Sequence, residues 1–196
     1  MTDTKSTATT RARMNDIGQR LDLAEEFPEH LRTRFTEVEL LCPKCRSEWS
    51  PGVAVLINAK TDPAATEGVL RGTMHRSRCP ACKGHVHDIM HIWDYYDPDN
   101  QQIIQVRMDW EYKAGGGEEV YFKRLEDLVM KYQNDDVKVD VVFGMQELID
   151  KYLGGQEAVD AAMRRRDKEI ELKLFPGNIR VDNEAEYFED TKTGTA

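Results

Sequence analysis

The sequence predicts an α+β fold, in which an antiparallel β domain over residues 36–113 precedes a mostly helical extension over residues 118–180. Two observations carry this prediction. Up to about residue 110, short β-type segments are separated by turn signals such as Asp97-Pro98-Asp99-Asn100. Beyond the glycine run at residues 115–117, apolar residues recur at the spacing of an amphipathic helix. We expect the glycine run to be a hinge between the two parts.

Composition and charge restrict the classes of function. The chain has 196 residues, of which 40% are hydrophobic and 32% charged, and its formal net charge is −9. Because a phosphate backbone attracts basic surfaces, so acidic a chain is not suited to general nucleic-acid binding.

The longest apolar run, Val53–Ile57, is far shorter than the ~18 residues that a membrane helix needs. No apolar segment follows the Ser/Thr-rich residues 1–13, so we expect a cytoplasmic protein with no membrane partner.

Residues 1–35 are expected to form a disordered tail followed by two short helices. Helical spacing predicts the first helix through Ile17, Leu21 and Ala24. Pro28 suits the first turn of the second helix, because proline lacks the N–H that this position leaves unpaired. That second helix would carry Leu31 and Phe35.

The β domain is predicted from five apolar or alternating segments within residues 36–113. They are Thr36–Leu41, Val53–Ile57, Val69–Met74, Val86–Trp93 and Ile103–Met108. Asp62-Pro63 lies between them in a polar stretch and is a candidate helix start.

Four cysteines form two Cys-Pro-x-Cys pairs, Cys42 with Cys45 and Cys79 with Cys82, separated by residues 46–78. Four thiolates can close a tetrahedral zinc site and leave no open position for catalysis. A redox pair, another metal or cluster, and a disulfide framework are the alternatives, and the last needs an oxidising compartment. We therefore predict one structural Zn²⁺ per chain, with the flanking strands forming a zinc-ribbon-like sheet.

The extension is predicted to contain three helices and one strand. Apolar residues at helical spacing indicate helices through Tyr121–Tyr132, Met145–Leu153 and Val159–Leu174. Val137–Phe143 alternates apolar and charged residues, as a half-buried strand does. Residues 181–196 are expected to be an acidic flexible tail.

These residues resemble the CpXC family of zinc proteins over about residues 40–110. The likeness consists of both Cys-Pro-x-Cys pairs, Trp49, and four further landmarks: Val55-Leu56-Ile57-Asn58-Ala59, Thr61-Asp62-Pro63, Val69-Leu70-Arg71-Gly72 and Tyr95-Tyr96-Asp97. Family members often carry glycine directly after the second cysteine of each pair, where this chain has Arg46 and Lys83. The resemblance implies a four-cysteine zinc-ribbon domain and supplies no catalytic residues.

Two further groups of side chains lie near the second cysteine pair. Arg71, Arg76, Arg78 and Lys83 could form a small nucleic-acid-binding patch, or could compensate the negative charge of the metal thiolates. The histidines His75, His85, His87 and His91 could hold a second metal, but the simpler interpretation is that they are half-exposed strand residues.

The favoured function is therefore a non-enzymatic zinc-binding module that acts in protein–protein interaction within a larger assembly. The alternative is a nucleic-acid-associated zinc-ribbon factor in a transcription or defence complex. A metal-dependent enzyme built on the histidines is the third and least favoured hypothesis. For the first, we expect metal chelation or Cys79→Ser to unfold residues 39–110, because metal binding supplies much of the folding free energy of a small zinc domain.

Overall fold

The structure, a computed structural model, describes residues 26–174, and this part of the chain is a mixed α/β protein. Its strands are β1 (Arg34–Glu37), β2 (Leu40–Leu41), β3 (Glu48–Trp49), β4 (Gly52–Asn58), β5 (Arg76–Arg78), β6 (Val86–Asp88), β7 (Trp93–Asp97), β8 (Gln102–Arg107) and β9 (Lys138–Phe143). Its helices are α1 (Pro63–Leu70), α2 (Asp109–Ala114), α3 (Glu118–Lys131), α4 (Met145–Tyr152) and α5 (Gly155–Leu174). Among residues 26–174, no helix is both long enough and apolar enough to cross a bilayer.

Five strands form one mixed sheet in the order β1-β4-β7-β8-β9, and the other four form two separate hairpins, β2–β3 and β5–β6. Within the sheet, the β4–β7 and β8–β9 pairs are parallel, and the β1–β4 and β7–β8 pairs are antiparallel. The prediction of a purely antiparallel sheet is therefore wrong. The reason is that helices carry the chain back between β4 and β7 and again between β8 and β9, as parallel pairing requires.

Strand β9 was expected in a separate helical extension, yet it lies beside β8 in the main sheet. Its register places Val139 opposite Ile103 and Val142 opposite Val106. Alternation of residue type predicts which side chains share a face, but it does not predict which strand will be the neighbour. The polypeptide beyond the glycine run is thus continuous with the sheet that precedes it.

Helices cover both faces of the sheet. On one face, Trp93 and Tyr95 of β7 pack with residues of α1, α4 and α5, of which Val69, Leu148 and Ile149 are buried. On the other face, Tyr96 of β7 packs with residues of α3 and the segment after it, including the buried side chains of Leu128 and Tyr132. Because both faces are buried, the central strands carry apolar or aromatic residues in succession rather than in alternation.

Helix α1 occupies part of a segment that the sequence analysis assigned to a strand. The Asp62 carboxylate accepts a hydrogen bond from the Ala65 N–H at 3.1 Å, and Pro63 is the first helical residue. The helix then continues to Leu70, so the predicted strand Val69–Met74 is wrong. Val69 is buried on the inner face of α1, and an apolar residue in a short run fits a helix as well as a strand.

Two other boundaries differ from the prediction. The predicted strand Val86–Trp93 is divided between β6 and β7, which belong to different sheets. The predicted helix at Pro28 is a single 3₁₀ turn, Glu29–Leu31, and Phe35 lies instead in the exposed edge strand β1. Leu31 is buried against the sheet as an apolar anchor. The expected tails and the helix through Ile17, Leu21 and Ala24 lie outside the described residues.

The predicted helices of the extension and the strand between them are confirmed. They correspond to α3, β9, α4 and α5. Helix α2 was not predicted, because Asp109–Ala114 is short and none of its residues is buried.

Strand β9 is an edge of the sheet, and acidic side chains accept hydrogen bonds from two of its backbone groups. The N–H groups of Lys138 and of Gly144, the residue just after the strand, donate to carbonyl groups of β8 and its preceding residue. Because N–H groups alternate in direction along a strand, those of the odd-numbered residues 139, 141 and 143 point away from β8. The Val141 N–H donates to Asp140 at 2.7 Å, and the Phe143 N–H donates to Glu147 at 2.6 Å.

Candidate metal centre

The two Cys-Pro-x-Cys pairs lie at the turns of the two hairpins, which we call together the hairpin lobe (Leu40–Trp49 and Arg76–Asp88). The two turns share one backbone hydrogen bond and one left-handed residue. The Cys42 carbonyl accepts from the Arg46 N–H at 2.9 Å, and the Cys79 carbonyl accepts from the Lys83 N–H at 3.0 Å. Arg46 and Lys83 have φ values of 61° and 51°, so each turn closes through a residue in the left-handed region.

The structure brings the four predicted ligands together. Their sulfur atoms all lie within 4.8 Å of one another. The Cys42–Cys82 sulfur distance is 3.8 Å and the Cys45–Cys79 distance is 3.6 Å. Zn–S bonds of about 2.3 Å in a tetrahedron separate neighbouring sulfurs by roughly 3.8 Å, whereas a disulfide bond is about 2.05 Å long. The four thiols are therefore free and placed at the spacing of a tetrahedral metal site.

Local hydrogen bonds favour the thiolate form at the second cysteine of each pair. Hydrogen bonds from Ser47, its side chain first and then its backbone, lower the pKa of Cys45 to about 6. The pKa of Cys82 is lowered chiefly by the backbone of Gly84. For Cys79, the backbone of Cys82 acts to lower the pKa, but burial and the neighbouring thiols raise it to about 11 overall. A bound cation would take the place of the protons that these crowded sulfurs otherwise share.

A hydrogen bond and an aromatic contact join the two hairpins beside the sulfurs. The Trp49 indole N–H donates to the Ser77 hydroxyl at 3.0 Å. The His87 ring lies edge-on to Trp49, with 4.9 Å between ring centroids. Sequence analysis did not find Ser47, Ser77 and Gly84 as contributors, because serine and glycine near a turn carry no distinctive signal.

Replacing Arg46 by glycine is expected to stabilise the hairpin lobe relative to replacing it by alanine. Both changes remove the same charge, but only glycine adopts a positive φ without a steric penalty, which is about 1–2 kcal/mol for other residues. We expect Arg46→Gly to hold metal about five- to thirtyfold more tightly than Arg46→Ala, measured by competition with a metal chelator. Equal affinities would show that the left-handed turn costs nothing here.

The four basic residues proposed as a nucleic-acid patch do not form one cluster. Arg71 lies at the junction of α1 and α5, where it pairs with Glu67 at 2.9 Å and with Glu169 at 3.3 Å. Arg76 lies on β5 and pairs with Asp88 at 2.7 Å. The other two, Arg78 and Lys83, are exposed on the β5–β6 hairpin. The structure therefore leaves three of the four on the lobe.

One basic side chain, that of Lys44, lies between the two cysteine turns. The Lys44 ammonium is 3.1 Å from the position that a Cβ atom would take at Gly84, so it reaches across from the first turn to the second. Four thiolates around one divalent cation carry a formal charge of −2, and a nearby ammonium lowers the cost of holding that charge. This contact supports charge compensation as one role of the basic residues around the site.

The histidines do not assemble a second metal site. Within residues 26–174, the four cysteines are the only group of three or more side chains placed to hold a metal ion. His85 and His87 stack edge-on, with 4.4 Å between centroids, on the hairpin lobe. His75 is buried and its Nε2 accepts the Ala54 N–H at 3.0 Å, while its ring lies 6.1 Å from that of His91. His75 is therefore a structural residue at the boundary between the lobe and the sheet.

Acidification is expected to destabilise the protein through His75. Burial first, and then the nearby His91, lowers the pKa of His75 from 6.5 to about 4. Between these values the unfolded chain binds a proton that the folded chain does not, so stability falls as the pH decreases. From about pH 7.5 to about pH 6 the wild type should lose about 0.8 kcal/mol more than His75→Gln, measured by urea unfolding. Equal losses in the two proteins would contradict this assignment.

The fold and the sulfur cluster together define a mixed α/β protein whose hairpin lobe carries four cysteines placed to hold a metal ion. The family model for the CpXC protein matches residues 40–164, well over half of the chain. The chain belongs to the CpXC family, which confirms the resemblance seen in the sequence. No curated protein and no solved structure matches it.

Proposed function

We propose that this chain is a non-enzymatic zinc-binding module in which one structural Zn²⁺ holds the hairpin lobe in a zinc-ribbon-like arrangement. The observation that carries the proposal is the sulfur geometry: four thiols from two distant turns lie at tetrahedral spacing. An all-sulfur, four-coordinate set is typical of structural zinc, since it leaves no position for water or substrate. A reducing compartment such as the cytoplasm keeps the thiols free to bind the ion.

We further propose that the module acts by binding a protein partner within a larger assembly. Several large apolar side chains outside both cores are exposed, among them Trp110, Phe122 and Met130. Aromatic residues and methionine are enriched at the centres of protein interfaces. The acidic net charge of −9 suits a partner that presents basic surface.

Two measurements test this proposal. Elemental analysis of the purified protein should give one zinc per chain, and Cys79→Ser should lose this zinc. A protein without metal, or with two metals per chain, would contradict the proposal. Affinity purification of the tagged native protein, followed by mass spectrometry, should then recover the same partner in independent preparations. Absence of any stoichiometric protein partner would contradict the assembly role.

The alternative function, association with nucleic acid, is supported by the exposure of Arg78 and Lys83 on the β5–β6 hairpin. Binding of this kind weakens steeply with added salt, because each phosphate contact releases counterions. Gel-shift measurements at low salt should then show binding that the double variant Arg76→Ala/Arg78→Ala loses. No shift with single- or double-stranded probes would remove this alternative.

A further inference from the structure

A cavity of about 690 Å³ opens on the side of the molecule where α2, α3, β9 and α4 meet. This volume lies within the range of about 300–1,000 Å³ that is typical of ligand pockets. Four aromatic side chains line it, and we call it the aromatic cavity: Tyr112, Tyr121, Phe122 and Phe143. The metal site does not use it, whereas Tyr121 and Phe143 also pack against the second core.

The walls of the aromatic cavity are held in place by specific contacts. The Tyr112 ring packs against Phe143, with 5.1 Å between centroids, and lies 3.6 Å from where a Cβ atom would stand at Gly117. The Tyr121 hydroxyl donates to Asp140 at 2.8 Å, which fixes its ring beside Phe122. The cavity therefore has two aromatic pairs, Tyr112 with Phe143 and Tyr121 with Phe122, and the backbone at Gly117 lies in contact range of the first.

The charged groups at the rim favour a cation. Glu147 is already occupied, because it accepts from the Phe143 N–H and pairs with Lys151 at 2.6 Å. Asp109 and Glu118 also line the cavity, and within residues 26–174 neither forms an ion pair. Lys113 is the one positively charged lining residue of the described chain that is likewise not in an ion pair. The rim thus carries an excess of one negative charge beside four aromatic rings.

We propose that the aromatic cavity binds an arginine side chain from a basic segment of a protein partner. The face of an aromatic ring attracts a cation, and a planar, weakly hydrated guanidinium stacks on it better than an ammonium does. Glu118 and the second oxygen of Asp109, whose first oxygen accepts from the Trp110 N–H at 2.9 Å, then accept its N–H groups. Phe122 and Tyr112, which are 58% and 41% exposed, supply apolar surface for the aliphatic part of the side chain. This inference rests on the proposed function, because it names the surface and the chemistry by which the partner is held.

The direct test uses N-acetyl-arginine-methylamide as the probe and its neutral citrulline analogue as the control, both titrated into metal-loaded protein at constant ionic strength. We expect saturable shifts in the aromatic NMR signals of Tyr112 and Phe122 with the arginine probe only. Exposed charges contribute about 0.2–1 kcal/mol, so Glu118→Gln should weaken binding by a factor of about 1.4 to 5. Lys113→Gln should strengthen it by a similar factor, since it removes the opposing charge. No shift, or equal shifts with citrulline, would overturn the proposal.

A second experiment separates this inference from the proposed function. Phe122 is exposed, so Phe122→Ala should fold normally, and it should lose most of the partner that the wild type captures. If the variant captures the partner as well as the wild type does, the aromatic cavity is not the docking site although the assembly role stands. If the wild type captures no partner but the arginine probe still binds the cavity, the assembly role fails and the cavity remains a guanidinium site.

Discussion

Removal of the metal is expected to unfold the hairpin lobe and leave the five-stranded sheet folded. None of the residues that form the two cores lies in the lobe, and its four strands are two or three residues long. Apparent zinc-binding free energies in small zinc domains are about 10–16 kcal/mol, which a lobe of this size cannot replace. The amide protection of the lobe should therefore fall by several orders of magnitude, while that of β4, β7 and β8 persists. Native-state hydrogen exchange of the metal-loaded and chelator-treated protein measures both.

Cys79→Ser should reproduce the effect of chelation, because it removes a buried ligand, whereas Arg78→Ala next to it keeps all four sulfurs and serves as the matched control. This expectation is narrower than the sequence-based one, in which residues 39–110 unfold together. The difference arises because β4, β7 and β8 belong to a sheet with its own cores. Protection lost equally in the lobe and in the sheet would show that the metal holds the whole domain together.

Asp94→Ala is expected to destabilise the fold by about 2–4 kcal/mol, because it removes the buried acceptor of three hydrogen bonds. Asp94 is only 2% exposed and lies in the middle of the sheet. Its carboxylate accepts from Tyr132 at 2.7 Å, from Lys131 at 2.5 Å and from Gln105 at 3.2 Å. The alanine variant leaves the buried Tyr132 hydroxyl without an acceptor and frees the end of α3 from the sheet. Urea unfolding of the metal-loaded protein gives the free energy directly.

Two variants with smaller expected losses of unfolding free energy serve as comparisons for Asp94→Ala. Tyr132→Phe removes one hydrogen bond and keeps the ring, so it should cost about 0.5–1.5 kcal/mol. Lys131→Met should cost at most about 1 kcal/mol, because the Lys131 side chain is 47% exposed and water screens its charge. If Asp94→Ala costs no more than Lys131→Met, the carboxylate does not anchor α3.

The candidate metal site was predictable from the sequence, and its surroundings were not. Two Cys-Pro-x-Cys pairs with no cysteine left over restrict the chemistry whatever the fold around them is. Asp94, in contrast, looks like an exposed acidic residue between two aromatic ones. Its role depends on Tyr132 and Lys131, nearly forty positions later in the chain. Local pattern carries no information about such a contact.

The fold was predicted best where one face of an element is buried. The helical spacing of Leu125 and Leu128 indicated α3, because only one side of that helix meets the sheet. Prediction failed in short apolar runs such as that around Val69, where a helix and a strand give the same pattern. It also failed for the neighbour of β9, since strand order is decided by the packing of the whole chain.

The acidic side chains along β9 have a consequence for the behaviour of the protein at high concentration. A strand from another molecule can extend a sheet only by pairing with the outward N–H groups of its edge, and such pairing leads to filaments. At β9, two of those groups, on Val141 and Phe143, already donate to Asp140 and Glu147. An incoming strand would have to displace both carboxylates from these N–H groups. The displaced negative charges would then lie close to the carbonyl oxygens of the incoming strand. Strand pairing between molecules is therefore disfavoured over Val141 and Phe143 at this edge.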